Sequence, residues 1–544
     1  MRTKYIFVVG GVMSGVGKGV TASSVANILQ ARGFKVTSIK IDPYVNVDAG
    51  TMNPTEHGEV FVLDDGMECD QDMGNYERFL NKDIPGDNYM TTGSVYQSII
   101  AKERGLEYKG RCVSVVPDVP LEIIERINNA VKKSKAEIVV TEIGGTVGEY
   151  QNILFLEAVR MLKIENHNDT ALVLVSYLPH ISSDSEQKTK PTQHAVRALN
   201  SAGLQPDIII ARSTEAIDEK RKEKIAFNCG MAKGDVISAP NVESIYDIPL
   251  NFEKDNLSDI ICKKLKIKPR KKDNKDWNRF VDKTKNTDGE VRIGIVGKYF
   301  ASGNFVLADA YISIIEAVKH ASYANNKKPV IDWLDAGEME DDKNLQKLSD
   351  YDGIIIPGGF GDRGVEGKIA VIKYCRGNKI PILGICYGMQ LMVVEFARHV
   401  AELNGAHTTE VNPKTFYKVI DILPEQKEKL KQKDYGGSMR LGTHKAKVEK
   451  GTIAFKAYGK EIISERHRHR YEVNPDFVKQ LEEKGIVFSC KSPDGKLVEI
   501  AELPENIHPF FLGAQFHPEF KSRPLDPHPL FLKFIKSAEK KDEI

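Results

Sequence analysis

The sequence predicts an α/β protein with two domains, each built on a mostly parallel sheet. The chain has 544 residues, which is too long for one hydrophobic core. Short apolar runs alternate with helical segments, an alternation typical of parallel α/β sheets. The pattern stops in a charge-rich stretch at residues 263–290 and then restarts. These three observations predict two α/β domains joined by a linker.

The first domain opens with a strand, a glycine-rich loop, a helix and a second strand. An apolar run at residues 5–9 predicts the first strand, residues 21–32 the helix, and residues 35–41 the second strand. Three further runs are short, apolar and rich in β-branched residues, which predicts buried strands at residues 137–141, 171–175 and 207–211. We therefore expect a parallel sheet in the N-terminal half.

The charge-rich stretch predicts a solvated linker rather than a nucleic-acid patch. Trp277, Phe280 and Val281 indicate that part of it is a helix docked on a domain. Beyond it, a helix is predicted at residues 307–321, and strands at residues 291–296, 329–334 and 353–356. The predicted domain limits are residues 1–267 and 291–540, with residues 268–290 as the linker.

Composition argues against several classes of protein. Hydrophobic residues make up 41% of the chain and charged residues 28%, as in soluble globular proteins, and the formal net charge is +1. No overall basic field favours a nucleic-acid backbone, and no apolar run is long enough to cross a bilayer. The seven cysteines contain no CxxC pair, and the N-terminus lacks the apolar segment of a signal peptide. We expect a cytoplasmic protein without nucleic-acid or membrane partners.

The glycine-rich loop at residues 10–19 lies between the first strand and the first helix. Glycines let backbone N–H groups approach phosphate oxygens, and Lys18 can supply a positive charge. The loop departs from the standard phosphate-binding sequence, because Gly11 lies one residue too far from Gly17. Gly19 also replaces the Ser or Thr that binds magnesium in that sequence. The alternative to a phosphate site is a purely structural turn.

If Mg-ATP binds at this loop, another side chain must replace the missing hydroxyl. Carboxylates suit magnesium, and the candidates are Asp70, Asp72 and Glu142. Glu142 follows a predicted strand, where α/β sheets place ligand groups, whereas Asp72 is predicted in a loop. Residues 188–194 carry two lysines, two hydroxyls and an amide, and could hold a second polyphosphate. The alternative for that segment is an exposed polar turn.

A cysteine in the second domain has the surroundings of a nucleophile. Cys386 lies between Gly384 and Gly388, after an apolar strand and before a helix, and small neighbours permit a sharp turn that exposes the side chain. His517 and Glu519 are two residues apart, so on an extended segment they face the same side. Glu519 could then orient His517 as the base for Cys386. A packing cysteine is the alternative reading.

A glycine-rich turn in the same domain fits an oxyanion hole. Residues 357–361, PGGFG, follow a predicted strand and could present backbone N–H groups, with the N–H of Tyr387 as a second donor. The nucleophile, its base and this turn all fit one acyl-transfer reaction. Their combination favours catalysis over three unrelated structural turns.

These segments also resemble known families. PGGFG, GICYGMQ and HPE together resemble a class I glutamine amidotransferase domain. The segments GGVMSGVGKG, NPTEHGEV, DMGNYERF, EIGGTVGEY, KTKPTQH, GGSMRLG and RHRHRYEVN are similar to the CTP synthase family. The resemblance spans about residues 3–532. It implies a P-loop-like, parallel-sheet amidoligase domain followed by an α/β class I glutamine amidotransferase domain.

The resemblance implies a ligase of pyrimidine nucleotide biosynthesis. Such an enzyme aminates UTP at C4 to CTP through a 4-phosphorylated UTP, with ATP as the phosphoryl donor and glutamine as the source of ammonia. The resemblance also implies Mg²⁺ with ATP and no organic prosthetic group. It further implies GTP as an allosteric activator, CTP as a feedback inhibitor and a homotetramer.

The resemblance assigns roles to positions that match the family motifs. Catalysis is implied for Cys386, His517 and Glu519, and magnesium binding for Asp72 and Glu142. The implied ATP-binding residues are Gly15, Val16, Gly17, Lys18, Gly19, Val20, Lys40, Asp72, Asn241 and Val242. The implied UTP- or CTP-binding residues are Ser14, Glu149, Tyr150, Gln151, Lys188, Thr189, Lys190, Pro191, Thr192, Gln193 and Lys224. The implied glutamine-binding residues are Gly359, Tyr387, Gly388, Met389, Gln390, Glu410 and Arg470.

Three departures from the family pattern concern regulation. Lys109 replaces a usual leucine, and Asp118 replaces a usual histidine. Residues 149–151, Glu-Tyr-Gln, replace the Asp-Ile-Glu that the family uses to recognise CTP. GTP activation and CTP inhibition are therefore the properties most open to change in this chain.

Three other functions fit part of the sequence. One is an ATP-dependent amidotransferase with another acceptor, such as a cobyric acid-type amidase, and KTKPTQH and EIGGTVGEY argue against it. Another is a partition-type ATPase, which needs no cysteine nucleophile. The third is an inactive, filament-forming homologue, which the intact catalytic positions disfavour.

Overall fold

The computed structural model describes residues 2–180, 186–298, 308–422 and 439–539. The chain forms two compact units, and each contains a large sheet covered by helices. The first unit comprises Met1–Ala49 and Asp72–Val281. The second comprises Gly50–Gln71 and Asp282–Ile544. The predicted α/β fold class is confirmed in both units.

Strands and helices are numbered here in chain order. The strands are β1 (Lys4–Gly10), β2 (Val36–Asp42), β3 (Val60–Val62), β4 (Glu68–Asp70), β5 (Tyr89–Thr91), β6 (Ile138–Thr146), β7 (Thr170–Tyr177), β8 (Ile208–Ser213), β9 (Val236–Pro240), β10 (Glu290–Gly297), β11 (Lys328–Asp335), β12 (Gly353–Ile356), β13 (Ile382–Ile385), β14 (His407–Thr408), β15 (Lys418–Ile422), β16 (Arg440–Val448), β17 (Ile462–His469), β18 (Tyr471–Val473), β19 (Val487–Lys491), β20 (Val498–Glu502) and β21 (Phe511–Ala514). The helices are α1 (Lys18–Ala31), α2 (Pro54–His57), α3 (Asp72–Leu80), α4 (Thr92–Arg104), α5 (Val115–Ser134), α6 (Ile153–Glu165), α7 (Lys190–Ser201), α8 (Glu219–Cys229), α9 (Ile248–Lys254), α10 (Leu257–Lys264), α11 (Lys275–Lys285), α12 (Ile312–Ala324), α13 (Asp342–Gln346), α14 (Val365–Asn378), α15 (Tyr387–His399), α16 (Ile453–Tyr458), α17 (Pro475–Glu482) and α18 (Pro529–Ala538). Within the described ranges, none of these helices is both long enough and apolar enough to span a bilayer.

The sheet of the first unit is fully parallel, in the order β5-β2-β6-β1-β7-β8-β9. Strand β1 lies at its centre, and its side chains of Ile6 and Val8 are fully buried. Because all strands run in one direction, their carboxyl ends meet at one edge, where sheets of this kind bind ligands. The glycine-rich loop begins at that edge, directly after β1.

The sheet of the second unit is mixed, in the order β11-β10-β12-β13-β21-β20-β19-β16-β17. The five strands from β11 to β21 are parallel, and the remaining pairs are antiparallel. All residues of β12 and β13 are buried. Strand β13 ends one residue before Cys386, so the parallel part of the sheet positions this cysteine.

The second unit includes a segment from the N-terminal part of the chain, Gly50–Gln71, which we call the hairpin segment. Its strands β3 and β4 pair in antiparallel fashion, and Val60–Val62 is buried throughout. Its carboxylates Asp64 and Glu68 form ion pairs with Arg466 and Arg468. This grouping departs from the predicted limits, which assign residues 1–267 to one domain, because these contacts join residues about 400 positions apart.

The charge-rich stretch also contributes to a core. Helix α11 contains Trp277 and Phe280, both largely buried. The Trp277 ring lies 5.2 Å from that of Phe79, and its indole N–H donates to the carbonyl of Tyr246 at 3.0 Å. The compact first unit therefore extends to Val281, beyond the predicted boundary at residue 267. The expected docked helix is present.

The predicted strands are confirmed within a few residues at each end. The helix predicted at residues 307–321 is Ile312–Ala324, with residue 307 outside the described part of the chain. Two local predictions are wrong. Asp72 lies in the first turn of α3, not in a loop, and Glu142 lies within β6, which continues to Thr146.

Candidate active site

The loop between β1 and α1 surrounds the amino end of the helix. Gly17 precedes α1 with a φ of 88°, a left-handed conformation that favours glycine. The side chain of Lys18 lies against the end of β1, since a Cβ added to Gly10 would be 2.9 Å from its Nζ. Burial lowers the pKa of Lys18, and the nearby Glu142 opposes that shift. A phosphate at this helix end would meet backbone N–H groups and one ammonium.

Gly19 packs directly against the carboxylate of Asp72. A Cβ added to Gly19 would lie 2.0 Å from Asp72 Oδ1, so any side chain at this position would force the carboxylate to move. The carboxylate therefore occupies the space where the Ser or Thr of a standard phosphate-binding loop would be. This contact explains why position 19 is glycine, and it supports Asp72 as the replacement for the missing hydroxyl. Asp70, the other candidate, ends β4 in the second unit.

Lys40 of β2 lies between two carboxylates, Asp72 in the first turn of α3 and Glu142 within β6. Its Nζ is 2.5 Å from Asp72 Oδ2 and 3.0 Å from Glu142 Oε1. The hydroxyl of Tyr76 donates to the other oxygen of Glu142. Burial raises the pKa of Glu142, and the charge of Asp72 adds to the rise. Burial also opposes ionisation of Asp72, but Lys40 outweighs it and lowers the pKa of Asp72.

This arrangement fits a magnesium ion that is bound together with a nucleotide. The described residues contain no group of three or more His, Cys, Asp or Glu side chains that could hold a metal alone. Mg²⁺ in nucleotide sites usually takes one or two carboxylates and completes its shell with water and phosphate oxygens. Asp72 and Glu142 supply two such carboxylates, and a second cation beside Lys40 would favour the ionised form of Glu142.

A pocket of about 160 Å³ adjoins the glycine-rich loop. The ATP-binding predictions Gly17, Val20, Asn241 and Val242 all line it. Apolar side chains of Ile248 and Phe252 complete the walls, which suits a flat aromatic ring. Thus two predicted residues near position 20 and two near position 241 lie around one cavity.

Arg212 is a residue of this pocket that sequence reasoning missed. It lies near the end of β8, and its Nη2 donates to Asn241 Oδ1 at 3.2 Å. Its Nε is buried and makes no hydrogen bond to any residue the structure describes. A donor held beside Gly17 without an acceptor is suited to a phosphate or ribose oxygen. The sequence held one indication of this role, because Arg212 directly follows the predicted strand 207–211, where parallel sheets place ligand-binding residues.

The segment predicted to bind UTP or CTP forms the start of α7. Thr192 accepts a hydrogen bond from Ser176 at 2.8 Å, and Gln193 donates to Thr189 at 3.1 Å, so these side chains are engaged inside the unit. Lys190 is exposed, and Lys188 is partly exposed and lies 3.6 Å from Glu186. Pro191 occupies the first turn of the helix, where its missing N–H costs nothing.

The other predicted UTP or CTP contacts are accessible in the single chain. Ser14, Gln151 and Lys224 are exposed, and Tyr150 is 94% exposed. Glu149 is partly buried beside the β6 turn, since a Cβ added to Gly145 would lie 3.1 Å from its Oε2. The described contacts do not gather these side chains around one cavity, so their joint role stays a prediction.

Cys386 occupies the sharp turn that the sequence predicts. Its φ is 51° and its ψ is −103°, a strained conformation between β13 and α15. A Cβ added to Gly388 would lie 2.1 Å from the carbonyl oxygen of Ile356, so the first turn of α15 must pass close to β12. Cys386 therefore lies at the amino end of helix α15, where the helix dipole attracts negative charge.

His517 and Glu519 interact as predicted, although for a different geometric reason. His517 Nδ1 lies 2.7 Å from Glu519 Oε1. The segment is not extended, because Pro518–Lys521 forms a 3-10 turn that brings the carboxylate back to the ring. Burial would lower the pKa of His517, but Glu519 and Cys386 together raise it to about 10. This favours the protonated imidazolium near neutral pH.

Both members of this pair face the same glycine turn. A Cβ added to Gly358 would lie 3.1 Å from His517 Cε1 and 3.7 Å from Cys386 Cβ. His517, Glu519, Gly359 and Cys386 also line one cavity, of about 90 Å³. The structure therefore places the predicted nucleophile, base and oxyanion turn together.

A pocket of about 230 Å³ opens beside Cys386. Five of the predicted glutamine-binding residues line it: Gly359, Tyr387, Gln390, Glu410 and Arg470. The carboxylate of Glu410 accepts the N–H of Gly361 at 2.7 Å, and burial raises its pKa. The carboxyl group of Glu410 and the guanidinium of Arg470 are the kinds of group that bind the amino and carboxylate groups of an α-amino acid. Two other predicted residues face elsewhere, since Met389 packs against Gly513 and Gly388 against β12.

Gln515 is a further residue that sequence reasoning missed. Its amide Nε2 lies 3.7 Å from the sulfur of Cys386, and its Oε1 accepts from Gln390 at 3.3 Å. An amide N–H directed at sulfur stabilises the negative charge of a thiolate. Gln515 lies two residues before His517, but nothing in the local sequence distinguishes it from a packing residue.

Comparisons with known proteins agree with this geometry. The family described as "CTP synthase N-terminus" matches residues 4–267, and the family "Glutamine amidotransferase class-I" matches residues 306–537. A CTP synthase of Halalkalibacterium halodurans is 48% identical over 542 residues, covering 99% of this chain and 100% of the relative. CTP synthases of Pyrococcus furiosus and Clostridium kluyveri are 50% and 48% identical over 539 residues, covering 99% of this chain and 98% of each relative. With these relatives along nearly its whole length, the chain belongs to the CTP synthase family.

Proposed function

We propose that this chain converts UTP to CTP, with ATP and with ammonia released from glutamine. The observation that carries the proposal is the Cys386–His517–Glu519 site in a chain that also holds the phosphate site around Lys18 and Asp72. The CTP synthase family uses ATP, UTP and glutamine. The two sites account for the two half-reactions that such a conversion needs.

The glutamine half-reaction follows from the thiolate and the imidazolium. The Cys386 thiolate adds to the carboxamide carbon, and the oxygen gains a negative charge beside the glycine turn. His517 then gives its proton to the nitrogen, so ammonia leaves and a thioester remains. Water, deprotonated by His517, attacks the thioester and restores the thiolate and glutamate. Glu519 holds the imidazole and stabilises its positive charge at each stage.

The nucleotide half-reaction begins with activation of a poor leaving group. The C4 oxygen of UTP takes the γ-phosphoryl group of ATP while N3 loses its proton to solvent, and ADP leaves. Ammonia then adds to C4, loses a proton, and expels the oxygen as inorganic phosphate. Lys18 and the N–H groups of residues 15–20 would hold the ATP phosphates. Lys40 lies where it can balance negative charge beside Asp72 and Glu142.

Magnesium would be held by Asp72 and Glu142, and it would neutralise charge on the ATP phosphates. Its support here is the pair of carboxylates on either side of Lys40, whose Nζ lies 2.5 Å from Asp72 Oδ2 and 3.0 Å from Glu142 Oε1. Arg212 and Asn241 would meet the nucleoside end of ATP in the adjoining pocket.

The test is a CTP assay with two nitrogen sources. Purified protein is given ATP and UTP, with glutamine or with ammonium, and CTP is separated and quantified. Cys386→Ala should remove glutamine-dependent synthesis and leave ammonium-dependent synthesis in place. Cys375→Ala, at another buried cysteine of the same unit, is the matched control and should retain both. CTP formation from glutamine by Cys386→Ala at the rate of the unaltered protein would reject the proposal.

We also propose that this is a cytoplasmic homotetramer, activated by GTP and inhibited by CTP. The exposed positions of Tyr150, Gln151 and Lys224 support a UTP or CTP site completed by a second subunit. Light scattering with ATP and UTP would test assembly. Rates of glutamine-dependent synthesis over a range of GTP and CTP concentrations would test regulation, including the effects of Lys109 and Asp118.

A further inference from the structure

Two arginines of β17 connect the catalytic pair to the hairpin segment. The carbonyl of Arg466 accepts the backbone N–H of His517 at 2.8 Å, while its Nε lies 2.5 Å from Asp64 Oδ1. The carbonyl of Arg468 lies 3.7 Å from the sulfur of Cys386, while its Nε lies 2.7 Å from Glu68 Oε1. Each arginine therefore contacts a catalytic residue through its backbone and the hairpin segment through its side chain.

Aromatic rings form a second connection. The imidazole of His517 stacks on Phe520, with ring centres 5.0 Å apart and planes 10° apart. Phe520 also packs against Phe61 of β3, with the two ring centres 4.9 Å apart. The guanidinium of Arg466 lies 5.5 Å from the centre of the Phe61 ring. Phe61 thus supports both the ring behind the imidazole and the arginine that holds the backbone of His517.

The hairpin segment is itself firmly attached within the second unit. Asp64 accepts from the Thr443 hydroxyl at 2.9 Å, and its carbonyl accepts the Thr443 N–H at 2.9 Å. Glu59 accepts hydrogen bonds from the hydroxyl and N–H of Ser313. Burial would raise the pKa of Asp64, but Arg466 outweighs burial and lowers it, so Asp64 is ionised at neutral pH. These contacts make the segment a fixed support.

We propose that Phe61 and Asp64 are positioning residues for His517 in glutamine hydrolysis. Both lie in the region that matches the CTP synthase N-terminus family, outside residues 306–537, which match the glutamine amidotransferase family. The catalytic base of the glutaminase reaction is therefore supported by residues from the other half of the sequence. The inference rests on the proposed glutaminase activity and assigns two more residues to it.

The test compares Phe61→Leu and Asp64→Asn with matched controls in the full-length protein. Phe488→Leu makes the same change at a phenylalanine that is 1% exposed, against 0% for Phe61. Asp332→Asn removes a carboxylate of similar exposure, 33% against 38% for Asp64, from an ion pair in which Arg292 Nε lies 2.7 Å from Asp332 Oδ2. The measurements are glutaminase kcat and KM for glutamine, and ammonium-dependent CTP formation.

We expect kcat for glutamine hydrolysis to fall roughly two- to tenfold in Phe61→Leu and Asp64→Asn, the range expected for loss of one aromatic or charged contact. KM and ammonium-dependent synthesis should stay close to those of the unaltered protein, and the controls should retain kcat. The proposal is overturned if kcat matches the controls, if KM rises while kcat stays constant, or if both nitrogen sources lose rate equally.

Failure of a variant to fold and failure of the proposed function each have a distinct result. If Phe61→Leu does not fold, as judged by its melting curve, Asp64→Asn decides the matter, because asparagine keeps the shape and the acceptor for Thr443. If the unaltered protein does not hydrolyse glutamine, the proposed function fails, and this inference fails with it. If the unaltered protein hydrolyses glutamine and neither variant changes kcat, this inference is rejected while the proposed function stands.

Discussion

Replacement of Glu519 by glutamine tests the charge balance of the catalytic pair. His517 has a pKa of about 10 because Glu519, 2.7 Å from its Nδ1, and Cys386 oppose the effect of burial. With the centres of the imidazolium and carboxylate charges about 4 Å apart, the two groups attract each other by ~4 kcal/mol at an effective dielectric constant of ~20. One pKa unit corresponds to about 1.4 kcal/mol, so loss of the carboxylate should lower the pKa of His517 by roughly three units, to near 7.

The lower pKa should change the pH dependence of glutamine hydrolysis. The imidazolium that protonates the departing nitrogen would be lost near pH ~7 rather than near pH ~10, which moves the alkaline limb of kcat/KM by the same amount. At pH ~8 only about one-tenth of the protein would keep the imidazolium, so the rate should fall about tenfold from this cause alone. Loss of orientation of the ring adds to the decrease.

The assay measures initial rates of glutamate release from about pH 6 to about pH 10.5. Alkylation of Cys386, followed by mass spectrometry to separate it from the exposed Cys112, reports the thiolate without catalysis. Glu505→Gln, at a carboxylate held by Lys456 and Lys533, is the control and should leave both profiles unchanged. An alkaline limb that remains near pH 10 in Glu519→Gln would refute the reasoning.

The same variant should change stability with a defined sign. The pKa of His517 is higher in the folded protein, about 10, than its ordinary value of 6.5. The protonated ring therefore stabilises the fold fully below pH 6.5, and this contribution is lost as the pH rises through 10. The difference in Tm between the unaltered protein and Glu519→Gln should have its full value at and below about pH 6.5 and should shrink as the pH rises towards ~10.

Three further predictions concern other parts of the two sites. Gly388→Ala places a Cβ 2.1 Å from the carbonyl oxygen of Ile356. We therefore expect the variant to lose about 1–3 kcal/mol in stability, to have a lower Tm and to lack glutaminase activity. An unchanged melting curve would contradict this expectation. Asp72→Asn should lower ammonium-dependent CTP formation roughly 10²-fold and leave glutaminase activity in place, and a selective loss of glutaminase would contradict the assignment. Arg212→Met should raise KM for ATP about tenfold with little change in kcat, because a hydrogen bond to a charged group is worth about 1.5–3 kcal/mol; an unchanged KM would remove Arg212 from the ATP pocket.

The features that could be predicted from the sequence are those that depend on residues close together in the chain. Apolar, β-branched runs predict the parallel strands, because both faces of such strands are buried. Glycines at positions 384 and 388 predict the sharp turn at Cys386, since the need for small neighbours is local, although the side chain itself is buried. The loop before α1 and the restart of the pattern after the charge-rich stretch are local features too.

The features that could not be predicted depend on contacts between distant residues. Nothing near Asp64 indicates a partner about 400 residues away, so the hairpin segment could not be assigned to the second unit. Gln515 and Arg212 acquire their roles only when the fold brings them to Cys386 and Gly17. The contact of His517 with Glu519 was expected from an extended segment, whereas a 3-10 turn produces it, because Pro518 favours such a turn.

The contact of Gly19 with Asp72 limits how this loop can change by substitution. A hydroxyl side chain at position 19 alone would displace the carboxylate from its place beside Lys40, and removal of the carboxylate alone leaves neither group in that space. A route from this loop to one with Ser or Thr must therefore alter both positions at once or pass through an impaired protein. The double variant Gly19→Ser with Asp72→Gly is the smallest exchange that keeps one oxygen in the same place.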